Sequence, residues 1–452
     1  MEKITALLNN GWDGFGIYVV SFVVVLSLLV FVHEFGHYIV AKWCGVKITT
    51  FSIGFGKEIC GWNDKSGTRW RIAMIPLGGY VQMFGDGDPS SSTKDKAVKE
   101  LTAAEKKVSF PHKALWQRAL IVFAGPAINF IFAALLLFGL FAFVGQPVTP
   151  PVASGVVIGS AAYKAGMLPH DRIIDINGTK IERFEDIQRE VMIALDTKLK
   201  ITLERGDEVI VLDNVYPERL EIEDRFGFKQ SKGVLGLTGP INGLDLKAVV
   251  SVDGQAVTQE NTAALLVSRS MGTPFVIETK QGEKTNALLV DPDVNGQTVE
   301  NKEEDVLVLY DLKDEETFIK HSIPSAFVKS IEETGRTISN IFESLKQIIT
   351  GVRNANELGG ILRIGAIAGS AAAAGWVSII GFTALLSINL GLINLFPIPV
   401  LDGGHLVFYA IEAVKGSPVS EVMQDYAYKA GFFLLIGLMV FANFNDLIQL
   451  FL

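Results

Sequence analysis

The segment IYVVSFVVVLSLLVFVHEFGH, residues 17–37, places a His-Glu-x-x-His motif at the end of an apolar run. Residues four apart on a helix share a face, so His33 and His37 can hold one metal ion between them. Glu34 lies beside them, where it can take a proton from a water on that metal. In soluble proteins the motif is typical of zinc proteases. Burying two imidazoles and a carboxylate at membrane depth is costly, which favours a functional site over a chance match.

The composition is that of a membrane protein. Of the 452 residues, 49% are hydrophobic and 20% are charged, and the mean hydropathy is +0.34. Apolar stretches with roughly the 20 residues that cross a bilayer lie at about residues 17–40, 116–144, 376–396 and 430–452. The first is too long, and too weakly basic at its start, for a cleavable signal peptide. The sequence therefore predicts a polytopic α-helical membrane protein with about four transmembrane helices.

The distribution of charge predicts the orientation of these helices. Residues 41–118 contain 13 Lys and Arg against 7 Asp and Glu, although the whole chain has a net charge of −9. Because basic loops between spans stay in the cytosol, this segment is predicted to be cytosolic. Both termini and the large segment of about residues 146–370 then lie outside the cytosol. The negative overall charge also argues against a nucleic-acid partner.

A third metal ligand is expected, because catalytic zinc usually has three protein ligands and one position for water. The strongest candidate is Asp402 in NLFPIPVLDGGH, residues 394–405, at the end of the third apolar stretch. Pro397 and Pro399 interrupt that helix, and the freed backbone must be covered by protein or water. The first and third spans run in the same direction, so Asp402 should meet the histidine motif near the cytosolic side. Taken alone, this segment would indicate only a turn followed by an interfacial histidine, His405.

Cysteine chemistry contributes little to the prediction. Cys44 and Cys60 are the only cysteines in the sequence, and both are predicted at the cytosolic side, where a disulfide is not expected. Their spacing matches no zinc-binding motif, which leaves Cys44 as a weak alternative metal ligand.

The chain resembles the bacterial site-2 protease family of intramembrane zinc metalloproteases, in particular its RseP-type members with tandem PDZ domains. The resemblance covers almost the whole chain and rests on the motifs at residues 33–37, 76–81 (PLGGYV), 123–129 (FAGPAIN) and 394–404. It implies that His33, His37 and Asp402 bind Zn2+ and that Glu34 is the general base. It also implies that Asn394 helps to hold the substrate backbone and stabilises the oxyanion. A helix-terminating cap is the alternative for Asn394.

The resemblance implies an endopeptidase of the bacterial inner membrane that acts in regulated intramembrane proteolysis during a stress response. Its substrates would be single-span proteins already trimmed outside, such as anti-sigma factors, and leftover signal peptides within the lipid bilayer. The alternative is a non-proteolytic adaptor that holds partners with PDZ domains and keeps a structural zinc site, although such a site would be closed by four ligands. A metal transporter is more distant, since no repeat of His or acidic residues follows a path across the membrane.

The cytosolic segment of residues 46–113 is predicted to contain a β-loop. Residues 51–56 and 71–83 alternate in strand fashion, with glycines at bends. An exposed strand edge could receive an unwound substrate segment by β-addition. The resemblance implies that this loop re-enters the membrane; a structural hairpin is the alternative. The polar residues 86–107 are predicted to be a mobile linker, and His112 an interfacial residue.

The outer segment resembles two bacterial PDZ domains. In residues 155–178 the pattern is strand, short helix, strand and an Asn-Gly turn. A second copy at residues 246–255 lacks the short helix expected before it, which puts its peptide groove in doubt. The pair is expected either to bind extended peptide at a strand edge or to act as a size filter over the active site. Residues 323–369 then form an amphipathic helix on the membrane surface, with three glycines expected to make its end flexible.

In the second span, Gly125-Pro126 and Asn129 should kink the helix and leave a polar group inside it. This feature would either shape a substrate path or serve helix packing.

These features predict the following division of the chain: the first transmembrane helix with the zinc motif (1–45), the cytosolic β-loop and linker (46–113), the second transmembrane helix (114–146), the first PDZ domain (147–230), the second, atypical PDZ domain (231–318), the amphipathic surface helix (319–372), the third transmembrane helix (373–400), a cytosolic loop with the metal ligand (401–429) and the fourth transmembrane helix (430–452).

Overall fold

The computed structural model describes residues 11–85, 101–224, 226–240, 244–281, 284–292, 306–307, 309 and 318–451. Most of the predicted linker, and part of the predicted second outer domain, therefore lie outside the described residues. The helices are α1 (Gly11–Trp43), α2 (Ala103–Val108), α3 (Leu115–Gly139), α4 (Ala161–Lys164), α5 (Phe184–Ile193), α6 (Ala263–Ser270), α7 (Ile323–Ile349), α8 (Ile361–Ala373), α9 (Trp376–Asn394), α10 (Asp402–Lys415) and α11 (Glu421–Phe451).

The strands form several separate sheets. They are β1 (Ile48–Asn63), β2 (Arg69–Met83), β3 (Gln146–Pro147), β4 (Gly155–Val157), β5 (Arg172–Ile176), β6 (Thr179–Lys180), β7 (Leu199–Arg205), β8 (Glu208–Val215), β9 (Glu218–Glu223), β10 (Lys229–Val234), β11 (Leu237–Thr238), β12 (Leu244–Asp245), β13 (Val249–Val252), β14 (Gln255–Ala256), β15 (Phe275–Gln281), β16 (Lys284–Val290), β17 (Val306–Leu307) and β18 (Phe318–Ile319).

Within the described residues, four helices are long and apolar enough to cross a membrane, as the sequence predicts. They are Gly16–Trp43, Leu115–Val144, Trp376–Asn394 and Glu421–Leu450. Helix α3, which continues as a π-helical turn over Leu140–Val144, is the centre of the bundle, because α1, α7, α9 and α10 all contact it. Helix α11 makes its main contact with α8. The helices that begin or end near the predicted metal ligands are thus collected around α3.

Strands β1 and β2 lie where the alternating pattern predicts a β-loop, they pair in antiparallel fashion as a hairpin, and the hairpin packs on α1. Its turn is tied to α1 by Asp64, which accepts hydrogen bonds from the Tyr38 hydroxyl at 2.9 Å and from Trp70 Nε1 at 3.2 Å. Burial raises the pKa of Asp64, but these two hydrogen bonds, together with those from Ser66 and Thr68, lower it by more. The pKa of Asp64 therefore lies below its ordinary value. The turn therefore carries a carboxylate at neutral pH that fixes the hairpin beside α1.

The segment predicted to lie outside the cytosol contains two units, named here the first outer unit (β5–β8 with α5) and the second outer unit (β13–β16 with α6) after that prediction. They repeat one arrangement of elements, which accounts for the duplicated sequence pattern. In the first unit β5 pairs with β6 and β7, and β7 pairs with β8. In the second, β13 pairs with β14 and β15, and β15 pairs with β16. The turn after β5 is Asn177-Gly178 and the turn after β13 is Asp253-Gly254, and all four residues have positive φ. A helix, α5 or α6, follows each of these short hairpins.

Strand β4 joins the two outer units. It begins the pattern of the first unit, yet it pairs with β16 of the second and with β11, in a sheet of order β11-β4-β16-β15-β13-β14. Val156 of this strand is at the same time fully buried in the hydrophobic core of the first unit. The two units therefore share a strand, a relation that the linear pattern did not predict.

The amphipathic segment forms two helices, α7 and α8, and α7 packs on α3 and α9. The flexibility expected at its end is wrong for Gly365 and Gly369, because both lie inside α8. A Cβ at Gly369 would collide with the ring of Tyr18 on α1. Gly360 precedes α8 and donates its N–H to Asp446 at 2.9 Å. Gly360 and Gly369 therefore permit close packing of α8 on its neighbours.

Two segments that were expected to lack regular structure are helical. Residues 103–108, at the end of the predicted linker, form α2, whose N-terminus has a reciprocal capping box between Thr102 and Glu105. Residues 402–415, in the predicted cytosolic loop, form α10. The polar composition of the first segment concealed its Thr-x-x-Glu capping signal.

Candidate active site

His33, His37 and Asp402 converge on one point. On α1 the Nε2 atoms of the two histidines lie 3.3 Å apart. Asp402 Oδ2 lies 3.2 Å from His33 Nε2 and 3.6 Å from His37 Nε2. Both histidines are almost fully buried. The single turn between the histidines follows from helical geometry, whereas Asp402 comes from a distant part of the chain.

Asp402 reaches the histidines because the chain reverses sharply after α9. Helix α9 ends at Asn394, and α10 begins at Asp402 itself. Between them Val400 has a φ of 129°, which is strained backbone for a β-branched residue. Gly403 and Gly404 lie so close to backbone carbonyls of this loop that a Cβ on either would collide with them. The glycines therefore let the loop fold tightly and turn Asp402 towards α1.

The three side chains fit a tetrahedral zinc site. Metal–ligand bonds of about 2.0–2.1 Å place two ligand atoms of a tetrahedron about 3.3 Å apart, and the separations are 3.2–3.6 Å. Asp402 Oδ2 is buried without a hydrogen-bond partner among the described residues, and a cation would compensate it. His37 Nδ1 lies 2.9 Å from the carbonyl oxygen of Ile121. Since a carbonyl only accepts, Nδ1 carries the proton and Nε2 keeps its lone pair for a metal.

Among the described residues, His33, His37 and Asp402 form the one group of three or more His, Cys, Asp or Glu side chains whose possible ligand atoms all lie within 4.8 Å of one another. Cys44 does not belong to that group. His405 Nδ1 is instead 3.2 Å from the hydroxyl of Tyr428. His112 lies outside that group and is hydrogen-bonded to Ser109 at 3.1 Å.

Glu34 lies on the side of α1 that faces strand β2. The backbone N–H of Val81 donates a hydrogen bond to its carboxylate. A Cβ at Gly79 would lie 3.2 Å from Glu34 Cγ and 2.7 Å from the carbonyl oxygen of Ser52, so a side chain there would push the strand away. Gly79 thus allows β2 to approach the helix at this carboxylate.

Glycines also allow α1 and α3 to approach each other at the site. A Cβ at Gly36 would collide with the carbonyl oxygen of Ala124. One at Gly125 would collide with His37 Nε2 and lie 3.0 Å from His33 Cε1. Gly125 therefore leaves the space in which the two imidazoles, and anything bound between them, are accommodated.

A cavity of about 530 Å³ contains the site, and all five residues predicted from the sequence line it: His33, Glu34, His37, Asn394 and Asp402. Asn394 is the last residue of α9, so the structure agrees both with a polar group in the cavity and with a helix end. A cavity of this size is ordinary for a binding site.

An ion pair that the sequence analysis missed forms another part of the cavity wall. Arg118 of α3 donates two hydrogen bonds to Glu412 of α10, at 2.6 and 3.2 Å, and lies over the ring of Tyr409. The pair braces the helix that begins at Asp402. The sequence offered one signal for this pair: Arg118 lies at the edge of an apolar stretch, and an arginine in that position usually has an acidic partner. The identity of the partner could not be predicted, because Glu412 is remote in sequence.

Comparison with known proteins gives consistent matches. Residues 21–438 match the family described as peptidase family M50. A protein of Agrobacterium fabrum named as a candidate zinc metalloprotease is 37% identical over 433 residues, which cover 96% of each chain. Regulator of sigma-E protease RseP of Escherichia coli is 34% identical over 468 residues, covering 98% of this chain and all of that protein. The regulator of sigma E protease of Haemophilus influenzae is 34% identical, covering 95% and 98% of the two chains.

Proposed function

Since the chain belongs to peptidase family M50 and is a zinc metalloprotease of the membrane, we propose that it cleaves peptide bonds within transmembrane segments of single-span substrates. His33, His37 and Asp402 hold the zinc, and Glu34 is the general base. The observation that carries the proposal is the convergence of these three ligand atoms beside Glu34, at the wall of one cavity. The metalloprotease assignment leaves the adaptor and transporter alternatives without support.

The proposed reaction needs a proton acceptor and a way to hold the substrate. Zinc in this site supplies Lewis acidity, which makes a water nucleophilic and polarises the scissile carbonyl. Glu34 takes the proton from the attacking water and delivers it to the nitrogen of the leaving amine. The hydrogen bond from Val81 holds the Glu34 carboxylate in place. The Asn394 amide donates to the carbonyl oxygen on which charge develops.

Substrate presentation is proposed to involve strand β2. A transmembrane helix hides its peptide bonds in its own hydrogen bonds, so it must unwind before a carbonyl becomes accessible. In the β1–β2 sheet, residues 50–53 pair with residues 69–72 on one side and with residues 79–82 on the other, and β2 passes beside Glu34. No further strand of the described residues pairs with residues 79–82, so their outer edge is available. An unwound segment that pairs with this edge would be held in extended form at the site.

The substrate class is inferred from relatives and from the architecture. Two relatives carry the name regulator of sigma-E protease, and on that basis we infer anti-sigma factors as substrates here. Remnant signal peptides, which are also single apolar spans, are inferred as a second substrate class. The protein is proposed to lie in the inner membrane with its termini and outer units in the periplasm, and with the active site near the cytosolic side. Stress-responsive regulated intramembrane proteolysis would be its role.

The outer units are proposed to be PDZ domains that act as a size filter. Their repeated strands and helices support the assignment. In the first unit a cleft of about 270 Å³ between α5 and residues 232–237 has the form of a peptide groove. Polar contacts hold this unit against α7, which packs on the transmembrane helices. A bulky outer domain on a substrate would collide with the units before its span reaches Glu34.

The decisive experiment compares cleavage of a model single-span substrate by the wild-type protein and by Glu34→Gln, with zinc measured in both. The variant should retain zinc, because Glu34 is not a ligand, and lose activity by several orders of magnitude, because no base accepts the proton. Near-normal turnover by a zinc-loaded Glu34→Gln protein would reject the mechanism.

A further inference from the structure

We infer that Asn129 is a positioning residue for the metal site, whose side-chain carbonyl accepts a hydrogen bond from Nδ1–H of His33 and thereby directs the His33 Nε2 lone pair at the zinc. The inference rests on the proposed ligand role of His33. It concerns which nitrogen of that imidazole carries the proton. The family motif that includes Asn129 does not by itself assign this role.

The contact is close and lies in a fully enclosed environment. The Asn129 amide nitrogen is 3.1 Å from His33 Nδ1, and Asn129 is 0% exposed. Its carbonyl oxygen Oδ1 is buried and has no hydrogen-bond partner among the described residues. A polar side chain in the middle of an apolar span costs free energy, so its presence there indicates a function.

The polarity of this hydrogen bond follows from the chemistry of metal ligation. If the amide nitrogen donates to Nδ1, the neutral imidazole must carry its proton on Nε2, which points at Asp402 Oδ2 and His37 Nε2. A protonated nitrogen has no lone pair for a metal. A half-turn of the amide, which exchanges two groups of nearly equal size, brings the unpartnered Oδ1 to Nδ1 and moves the proton there. Nε2 is then free to bind.

His37 provides an internal comparison. Its Nδ1 lies 2.9 Å from the backbone carbonyl of Ile121, an atom that can only accept, so its tautomer is determined by the main chain. His33 lies one turn earlier on the same helix and faces an amide side chain instead. Both histidines thus meet an acceptor on α3, one from the backbone and the other from Asn129. Such outer hydrogen bonds orient ligating imidazoles and raise their basicity.

The position of Asn129 is fixed by the crossing of α3 and α9. The hydroxyl of Ser387 donates to the Asn129 backbone carbonyl at 2.8 Å. A Cβ on Gly391 would lie 3.2 Å from Asn129 Cβ, so α9 approaches α3 closely here. Because α9 leads directly to the loop that carries Asp402, the packing that holds Asn129 against His33 also sets the approach of the third ligand.

The test measures zinc affinity by chelator competition on the full-length protein in detergent, for wild type, Asn129→Leu, Asn129→Asp and Ser387→Ala. Asn129→Leu keeps the shape but removes the acceptor, and zinc affinity should fall about 10–100-fold. Asn129→Asp can act as an acceptor and should bind zinc at least as tightly as wild type. Ser387→Ala loosens the helix crossing but leaves the Asn129 amide in place, so its zinc affinity should fall clearly less than that of Asn129→Leu. The absorption spectrum of the Co2+-loaded protein should change more in Asn129→Leu than in Ser387→Ala.

The outcomes separate this inference from the proposed function. If Asn129→Leu folds and binds zinc like wild type, Asn129 has no positioning role. If Asn129→Leu does not fold, Asn129→Asp decides between the two directions of the hydrogen bond. An aspartate can accept from Nδ1–H but has no amide nitrogen to donate, so a drop in its zinc affinity would overturn the inference. Equal losses in Ser387→Ala and Asn129→Leu would indicate helix packing alone. Failure of the proposed ligand set is recognised differently, as zinc binding that survives His33→Ala.

Discussion

At the scale of single residues, the site combines two histidines from one helical turn with one carboxylate from a strained loop. The helix supplies the spacing of His33 and His37 at no extra cost. Asp402 requires the unusual φ of Val400 and two glycines that pack on backbone. Strain of this kind persists where the surrounding structure determines it. The carboxylate is therefore the part of the site that depends most on correct folding of its surroundings.

Replacement of Asp402 by alanine tests the proposed ligand set. The wild-type protein should contain about one zinc per chain, and Asp402→Ala should lose most of it, because two imidazoles alone leave the coordination incomplete. Asp207→Ala, which removes an exposed carboxylate from the turn after β7, serves as the control and should retain zinc. Atomic absorption on the purified proteins gives the comparison. Full zinc occupancy in Asp402→Ala would remove Asp402 from the ligand set.

At the scale of elements, the contact of α1 with α3 depends on small residues where the two helices cross. Gly36 on α1 and Gly125 on α3 each leave no room for a Cβ. Small residues are the usual means by which membrane helices approach closely. Here the same approach delimits the space between the imidazoles, so helix packing and the proposed metal binding depend on the same atoms.

Gly125→Ala should therefore impair zinc binding without touching a ligand. Its methyl group would occupy space next to His37 Nε2, and the two helices would have to separate. We expect at least a tenfold loss of zinc affinity, comparable with the loss of an outer hydrogen bond to a ligand. The matched control is Gly139→Ala, at the end of the same helix, where an added Cβ meets nothing within 4 Å. Equal zinc affinities in the two variants would contradict the packing argument.

At the scale of the whole molecule, ion pairs fasten the first outer unit to α7. They are Glu182–Lys329 at 2.6 Å, Arg189–Glu333 at 2.8 Å and Asp186–Arg336 at 3.1 Å. The hydrogen bond from Lys329 lowers the pKa of Glu182. Its contribution to docking is thus present at neutral pH and is lost as the pH falls through the lowered pKa. Since α7 packs on α3 and α9, these pairs connect the proposed filter to the helices around the site.

Reversal of one charge should weaken the proposed filter. Arg189→Glu places two carboxylates together, and a cost of about 1 kcal/mol would shift the docking equilibrium about fivefold. Cleavage of an untrimmed substrate should rise by a similar factor, while cleavage of a trimmed substrate stays unchanged. The double variant Arg189→Glu/Glu333→Arg restores the pair and should restore the block.

Deletion of residues 152–292 is the stronger form of the same test and should admit untrimmed substrate fully. If a zinc-loaded deletion variant instead cleaves nothing, the units recruit substrate rather than exclude it. For the charge variants, equal cleavage of untrimmed substrate by Arg189→Glu and by Arg189→Glu/Glu333→Arg would show that these ion pairs do not contribute to the filter.

Membrane orientation is tested by thiol labelling of intact cells. In a protein with Cys44 and Cys60 replaced by serine, a cysteine at Asp213 on the first outer unit should react with an impermeant reagent. One at Ala104 on α2, which is exposed, should react only after permeabilisation, because the basic segment around it is predicted to stay in the cytosol. The opposite pattern would invert the proposed topology.

What the sequence by itself determined is local. The length of an apolar run decides whether a helix spans a bilayer, and the four predicted spans are helices. The spacing of His33 and His37 decides that they share a face, and alternation in residues 71–83 predicts a strand. In each case the deciding interaction lies within a few residues of the chain. The need for a third ligand and the direction of the spans pointed to Asp402, and the family resemblance added Asn394 by matching motifs, without a contact to support either residue.

The tertiary structure alone decided which remote segments meet. It brought Asp402 to within 3.2 Å of His33, paired Arg118 with Glu412, and gave β4 to the sheet of the other outer unit. It also placed Gly125, which the sequence indicated only as part of a helix kink, against the two imidazoles of the proposed metal site. The direction of the spans predicted only that Asp402 and the histidines lie at the same side of the membrane. The contacts themselves could not be read from periodicity or composition, because each depends on how helices and strands far apart in sequence pack against one another, and packing selects partners by shape and by the need to pair buried polar groups.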